Sequence, residues 1–211
     1  MTPSHWILTA DGTDQHINGL QLLVQNKAPR IEVIAHSLAQ INRFTGHAAR
    51  PYSVAEHSIL VADILDAQGH NCHVQRLGLM HDAHECMTGD AASPVKWVLN
   101  LAWIMFENPL AKLVRQHYHL QTAHTAYRHL VKHADLTALA TERRDLMPFK
   151  AARNLLWDVI DRPGREVPAL EAVSLNTPVR EAMTWKHHRD TFLQRYELLT
   201  AQCQQMPGAT A

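Results

Sequence analysis

Leu79-Met80-His81-Asp82-Ala83-His84-Glu85 sets a histidine and a carboxylate side by side in an apolar segment, with a second carboxylate one turn further on. Within a helix running from Val74 to about Met87, His81 and Glu85 (i, i+4) share a face, as do Asp82 and Glu85 (i, i+3). Charged groups in an apolar helix require partners, and a bound cation is the simplest partner for a His next to an Asp. Water on that cation, with Glu85 alongside, makes a hydrolytic centre. The stretch therefore predicts a helical protein built around a metal site.

Helical signals continue on both sides of it. Upstream, Ser53-Val54-Ala55-Glu56 reads as a capping box, the Ser side chain closing the helix start while Glu56 reaches back to the cap's own N–H. The helix that follows runs from Ala55 to about Ala67, and Gly69 closes it. Before it, Pro29 opens a helix with Ile31, Ile34, Ala35, Leu38 and Ile41 at helical spacing, and 42–52 carries the Gly and Pro of a loop. At the front, Trp6 to Gly12 alternates weakly and ends in Asp-Gly, the mark of a short hairpin. Downstream, Gly89 is a natural helix stop. Ser93-Pro94 forms a second N-cap pair ahead of a long apolar segment through Trp97, Leu99, Leu101, Trp103, Ile104 and Phe106, which Pro109 breaks or kinks. That segment serves as core or as a dimer face. Helices from about Ala123 to Met147 and from Thr184 to Gln204, with a turn at Arg162-Pro163-Gly164-Arg165, complete the chain. The expected fold is a single all-α domain over 1–211 with a small N-terminal β-hairpin.

Composition narrows the function classes. The 211 residues are 46% apolar and 19% charged, which suits a globular chain with a sizeable core and argues against disorder. Twenty basic residues balance twenty acidic ones, so no global field favours nucleic acid or an anionic membrane. No basic stripe with interleaved aromatics appears. No apolar run approaches a spanning helix, and the N-terminus lacks signal-peptide zones; the expected address is the cytoplasm. Three cysteines, Cys72, Cys86 and Cys203, show no C-x-x-C spacing and read as free thiols. Most of the 16 histidines belong to no single site.

Four residues have the type and placement to hold one divalent cation: His57, His81, Asp82 and Asp135. Asp135 is embedded in an apolar helix, where Lys132 or Arg128 is its ordinary alternative partner. Glu56 reads as the capping-box acceptor. Imidazole and carboxylate together suit Mn, Fe, Co, Ni or Zn without choosing among them.

The order His57 … His81-Asp82 … Asp135 resembles the H…HD…D signature of the HD-domain metal-dependent phosphohydrolases. Asn42-Arg43-Phe44, Val54-Ala55-Glu56-His57-Ser58, His81 through Asp90 with its Thr88-Gly89-Asp90, and Pro94-Val95-Lys96 are similar to the bacterial 5'-deoxynucleotidase branch. The phage dATP triphosphohydrolases form a similar small branch. The resemblance covers about residues 30–145; a helical extension over about 148–205 carries no motif and is expected to cover the site or mediate assembly.

The resemblance implies roles. His57, His81, Asp82 and Asp135 would ligate the metal, Glu85 and Asp90 would orient or protonate around the attacked phosphorus and its leaving oxygen, and Arg43 would hold the phosphate. Phe44 stands where the relatives carry a Trp against the substrate. Lys96 is either a phosphate-chain ligand or a solvated lysine; Arg143 and Arg144 are better read as an outer face. His47, His84 and His133 are the nearest candidates for supporting donors. The implied reaction is release of phosphate from 2'-deoxynucleoside 5'-monophosphates by a metal-activated water. Release of triphosphate from a dNTP, and a nucleotide-binding module without turnover, are the alternatives. The expected partner is a small nucleotide, with a homodimer or higher homo-oligomer by analogy.

Overall fold

A computed structural model describes residues 5–17 and 27–205. Two short antiparallel strands, β1 (Trp6–Leu8) and β2 (Asp14–His16), pair Trp6 with His16 and Leu8 with Asp14. Gly12 takes φ +81° in the connecting turn, as the Asp-Gly dipeptide predicts. Asp11 accepts the Thr9 hydroxyl at 2.6 Å and the Arg30 guanidinium at 2.9 Å, which ties the hairpin to the first described helix, α1 (Ile31–Leu38).

From there the described chain is helical: α2 (Val54–Ala67), α3 (Cys72–Leu79), α4 (Glu85–Thr88), α5 (Ser93–Leu99), α6 (Leu101–His117), α7 (Gln121–Leu146), α8 (Asp158–Asp161), α9 (Pro178–Glu181) and α10 (Trp185–Gln205). A 3₁₀ turn spans Phe44–Gly46. This is the all-α architecture with a small hairpin that the sequence predicts. Among the described residues no helix is long and apolar enough to cross a membrane.

α2 occupies the centre. Ten of its fourteen residues are buried, because α3, α7 and α10 all pack against it. The approach of α3 depends on Gly78, where an added Cβ would lie 2.4 Å from Leu65 Cδ1. Ile34, Leu38, Tyr52, Leu65, Leu79, Leu146, Phe192 and Leu199 join in one apolar core. α10, from the extension without a motif, is thus an integral wall of that core.

Three expectations are corrected. The helix predicted to run to Met87 ends at Leu79. Met80 adopts φ −101°, ψ 5°, and the chain then winds through three-residue turns, Ala83 N–H to Met80 O at 3.1 Å and Glu85 N–H to Asp82 O at 2.9 Å. His81 and Asp82 therefore sit on a turn, and the shared-face argument does not apply to them. The capping box is only half made: Ser53 Oγ accepts the Glu56 N–H at 3.1 Å, but the Glu56 carboxylate is held by Arg50 at 2.7 and 2.8 Å and by Arg180 at 3.1 Å. Pro109 does not break the apolar segment, since α6 runs through it; the break is at Asn100, with φ 45° and ψ −119°. Most of that segment is not core either, for Trp97 is 61% and Leu101 62% exposed, while Phe106 packs against the core.

Candidate metal centre

The four residues of the H…HD…D pattern come together from three supports. The first turn of α2 carries His57, the turn after α3 carries His81 and Asp82, and the middle of α7 carries Asp135. His57 Nε2 lies 3.3 Å from His81 Nε2, 3.3 Å from an Asp135 oxygen and 3.8 Å from an Asp82 oxygen. The same Asp82 oxygen is 3.0 Å from His81 Nε2. His57, His81 and Asp135 present ligand atoms within 4.8 Å of one another.

The opposite edge of each imidazole explains why these atoms face inward. His57 Nδ1 meets Glu142 at 2.5 Å, and His81 Nδ1 meets the carbonyl of Gly78 at 2.7 Å. Both partners are acceptors, so both Nδ1 atoms carry the proton and both Nε2 atoms turn lone pairs toward the two carboxylates. Four acceptors then converge with no donor among themselves, an arrangement suited to a cation; the other oxygen of Asp135 takes the Lys132 ammonium at 2.8 Å, the alternative partner that the sequence offers. A proton takes that role when no metal does: burial and Arg43 press His57 down, but Glu142 and Asp135 outweigh them and lift it to about 9. Burial likewise pushes Asp135 and Asp82 upward, yet the neighbouring imidazoles hold both well below the usual carboxylate range.

Glu142 is a residue that sequence reasoning missed. It is completely buried, and it also accepts the Tyr52 hydroxyl at 3.0 Å and the Arg43 guanidinium at 3.2 Å. Two turns of α7 separate it from Asp135, so the i, i+7 spacing of two acids on one apolar helix was the available signal.

Arg43 borders the cluster, its Nη1 3.8 Å from Asp82. Its Nε is buried and has no hydrogen-bond partner among the described residues. It leads into a left-handed run, with Phe44 at φ 56°, Thr45 at φ 54° and Gly46 at φ 78°. Left-handed backbone costs about 1–2 kcal/mol at a non-glycine residue, so this loop is held against its own preference. Phe44 packs on Trp157, ring centroids 6.1 Å apart, which brings the extension to the edge of the Arg43 loop.

Glu85 is buried, and one of its carboxylate oxygens has no partner among the described residues. Burial pushes this carboxyl well above the usual range, and Asp82 and Asp90 push it further. Burial also raises Asp90, with Asp82 adding to the effect against the pull of Arg43. Lys96 is not a solvated lysine: its Nζ bonds Glu107 at 2.7 Å and stands 3.6 Å from Glu85. His84 is buried against the same Glu107 at 3.3 Å. His47 and His133 are exposed. Arg143 is paired with Asp161, and Arg144 with Asp145 at 2.7 Å.

No family model matches the chain. Over 116 residues it is 37% identical to the uncharacterized protein YfdR of Escherichia coli K12, an alignment covering 55% of this chain and 60% of that protein. Over 165 residues it is 31% identical to the uncharacterized protein RCAP_rcc00048 of Rhodobacter capsulatus, covering 75% of this chain and 83% of the relative.

Proposed function

We propose that this chain, which belongs to the same protein family as the Rhodobacter capsulatus protein RCAP_rcc00048, is a metal-dependent phosphohydrolase of the HD type. Its proposed reaction releases phosphate from 2'-deoxynucleoside 5'-monophosphates. The observation that carries the proposal is the convergence of His57, His81, Asp82 and Asp135 on one point, with no donor among them and Arg43 alongside. The order of the motifs along the chain supports the substrate class.

His57, His81, Asp82 and Asp135 would hold a divalent cation, and their mixed nitrogen and oxygen donors fit Mn, Fe, Co, Ni or Zn. Such a cation supplies Lewis acidity toward a phosphoryl oxygen and toward water. The protein's own groups do the rest. Arg43, with its Nε uncommitted, donates to a phosphate oxygen and offsets its charge. Glu85, whose carboxyl is raised by burial and by its acidic neighbours, is the candidate to give a proton to the departing 5'-oxygen. Asp90, also raised, is the second group able to take or return a proton. Glu142 keeps the His57 imidazole in the tautomer that presents Nε2.

The side chains that would greet a longer phosphate chain are already engaged. Lys96, Arg143 and Arg144 each face a carboxylate; the Thr88-Gly89-Asp90 and Asn42-Arg43 motifs support a monophosphate over a triphosphate substrate. The test is a turnover panel with metal-stripped protein reloaded with Mn, Co or Zn and offered dAMP, AMP and dATP, products read by phosphorus NMR. Inorganic phosphate from dAMP is the expected result, lost in Asp82→Ala protein whose helical circular dichroism persists. Intact triphosphate from dATP would move the protein to the triphosphohydrolase branch. Metal binding with no turnover on any of the three would overturn the enzymatic proposal in favour of a nucleotide-binding module.

A further inference from the structure

The opposite end of α3 holds a second group of ligand atoms, unrelated to the site above. Cys72 and His73 are the first two residues of α3, and Cys203 lies in the last turn of α10. Their two sulfurs and one imidazole nitrogen all fall within 4.8 Å of one another. We propose that Cys72, His73 and Cys203 form a separate binding site for a thiophilic divalent cation of the Zn²⁺ type, which ties the start of α3 to the end of α10.

The donor set carries the inference. Zinc bonds of about 2.3 Å to sulfur and 2.0–2.1 Å to nitrogen set tetrahedral ligands roughly 3.5–3.8 Å apart, a small contraction from the observed grouping. Two sulfurs and one nitrogen suit zinc or Cu(I) and not the oxygen-seeking Mg²⁺ or Ca²⁺. Both cysteines are buried while His73 is half-buried, so the group is shielded yet reachable from solvent. Asn71 fixes the approach, its side-chain oxygen capping α3 through the N–H groups of His73 at 3.1 Å and Val74 at 3.2 Å.

Burial, with the adjoining Cys72 thiol, pushes Cys203 up to about 12 against the pull of Arg76. A metal entering the site must therefore displace the proton of the Cys203 thiol. Arg76, one turn beyond Cys72 on α3, has a buried Nε with no hydrogen-bond partner among the described residues, and a thiolate is an acceptor it lacks. A simple disulfide between the two cysteines would leave His73 without a part.

The test uses the whole chain carrying Asp82→Ala, which removes one ligand of the other site, kept reduced with a phosphine and titrated with Co²⁺. The expected result is the strong near-ultraviolet absorption of thiolate-to-cobalt charge transfer, which reads this site alone and saturates at one equivalent per chain. Adding Cys203→Ser should abolish that absorption, and in the otherwise native protein the same change should leave turnover unaltered. His73→Ala, at a half-buried position that does not threaten the core, should weaken cobalt binding at least about tenfold. Absence of the sulfur absorption in reduced Asp82→Ala protein would overturn the proposal. So would an unchanged affinity in His73→Ala, or a Cys72–Cys203 disulfide in protein isolated without oxidant.

Discussion

Glu142 acts on the candidate metal centre without joining it: it holds the His57 proton on Nδ1, and it also gathers Tyr52 and Arg43. Glu142→Gln keeps the shape but lets an amide N–H face His57, which reverses the tautomer and turns a proton toward the site. We expect metal affinity to fall about 10–100-fold with the fold retained, read by competition with a chromophoric chelator. The meeting of His57, His81, Asp82 and Asp135 was legible in the sequence because their order forms a recognisable pattern, whereas Glu142 was not, since it lies beyond that pattern and reveals itself only through α7 geometry. Glu107 was missed for a related reason: its partners His84 and Lys96 come from two other segments. Burial raises this carboxyl, but His84 and Lys96 outweigh it and bring it to about 2. A folded value below the unfolded one means stability that is fully present above pH about 4.5 and is lost as the pH falls through about 2. Glu107→Gln should therefore cost about 1–2 kcal/mol at neutral pH, after allowance for partial exposure. Urea unfolding of the two proteins should show that gap closing as the pH drops from 4.5 toward 2.

At the scale of elements, the turn after α3 is where sequence periodicity and structure part. Val74 to Met87 is apolar enough for a continuous helix, and nothing in residues 80–84 forbids one. What ends it is tertiary: Gly78 lets α3 press against Leu65 of α2, and its carbonyl is claimed by His81 Nδ1. The imidazole thus uses a backbone group near the C-terminus of α3, and the chain turns there, swinging His81 and Asp82 toward α2 and α7. Helix starts were more legible than helix ends, because Ser53 and the hairpin turn announce themselves locally, while the stop at Leu79 depends on a neighbouring helix. Gly78→Ala should destabilise the protein by about 1–3 kcal/mol, the usual cost of inserting a methyl group where packing is closed. Chemical denaturation checks the magnitude. A parallel loss of metal affinity would show that the shift of α3 reaches His81.

The whole molecule is closed by parts that carry no motif. Arg50 bonds Glu56 of α2 and the carbonyl of Leu175, and Arg180 adds a second tie to Glu56. Phe192 and Leu199 of α10 are buried in the same core as Leu38 and Leu65. The sequence marks α10 clearly as an amphipathic helix, but its place against α1, α2 and α3 follows from long-range packing that no local signal encodes. A fragment ending at Met147, although it contains every residue of the H…HD…D pattern, should fail to fold: it should show no cooperative thermal transition and no site-specific metal binding. A cooperative melt of that fragment would refute this account of the core. The order of synthesis gives the arrangement a further consequence. The four candidate ligands of the first site are all synthesised by residue 135, before α10, which packs against α2 and α3, exists. During that interval they are loose histidines and aspartates, which bind cations according to intrinsic affinity with little regard to geometry. Selection by geometry would begin only when α10 docks, so an ion bound there would be drawn from the pool that the finished chain meets.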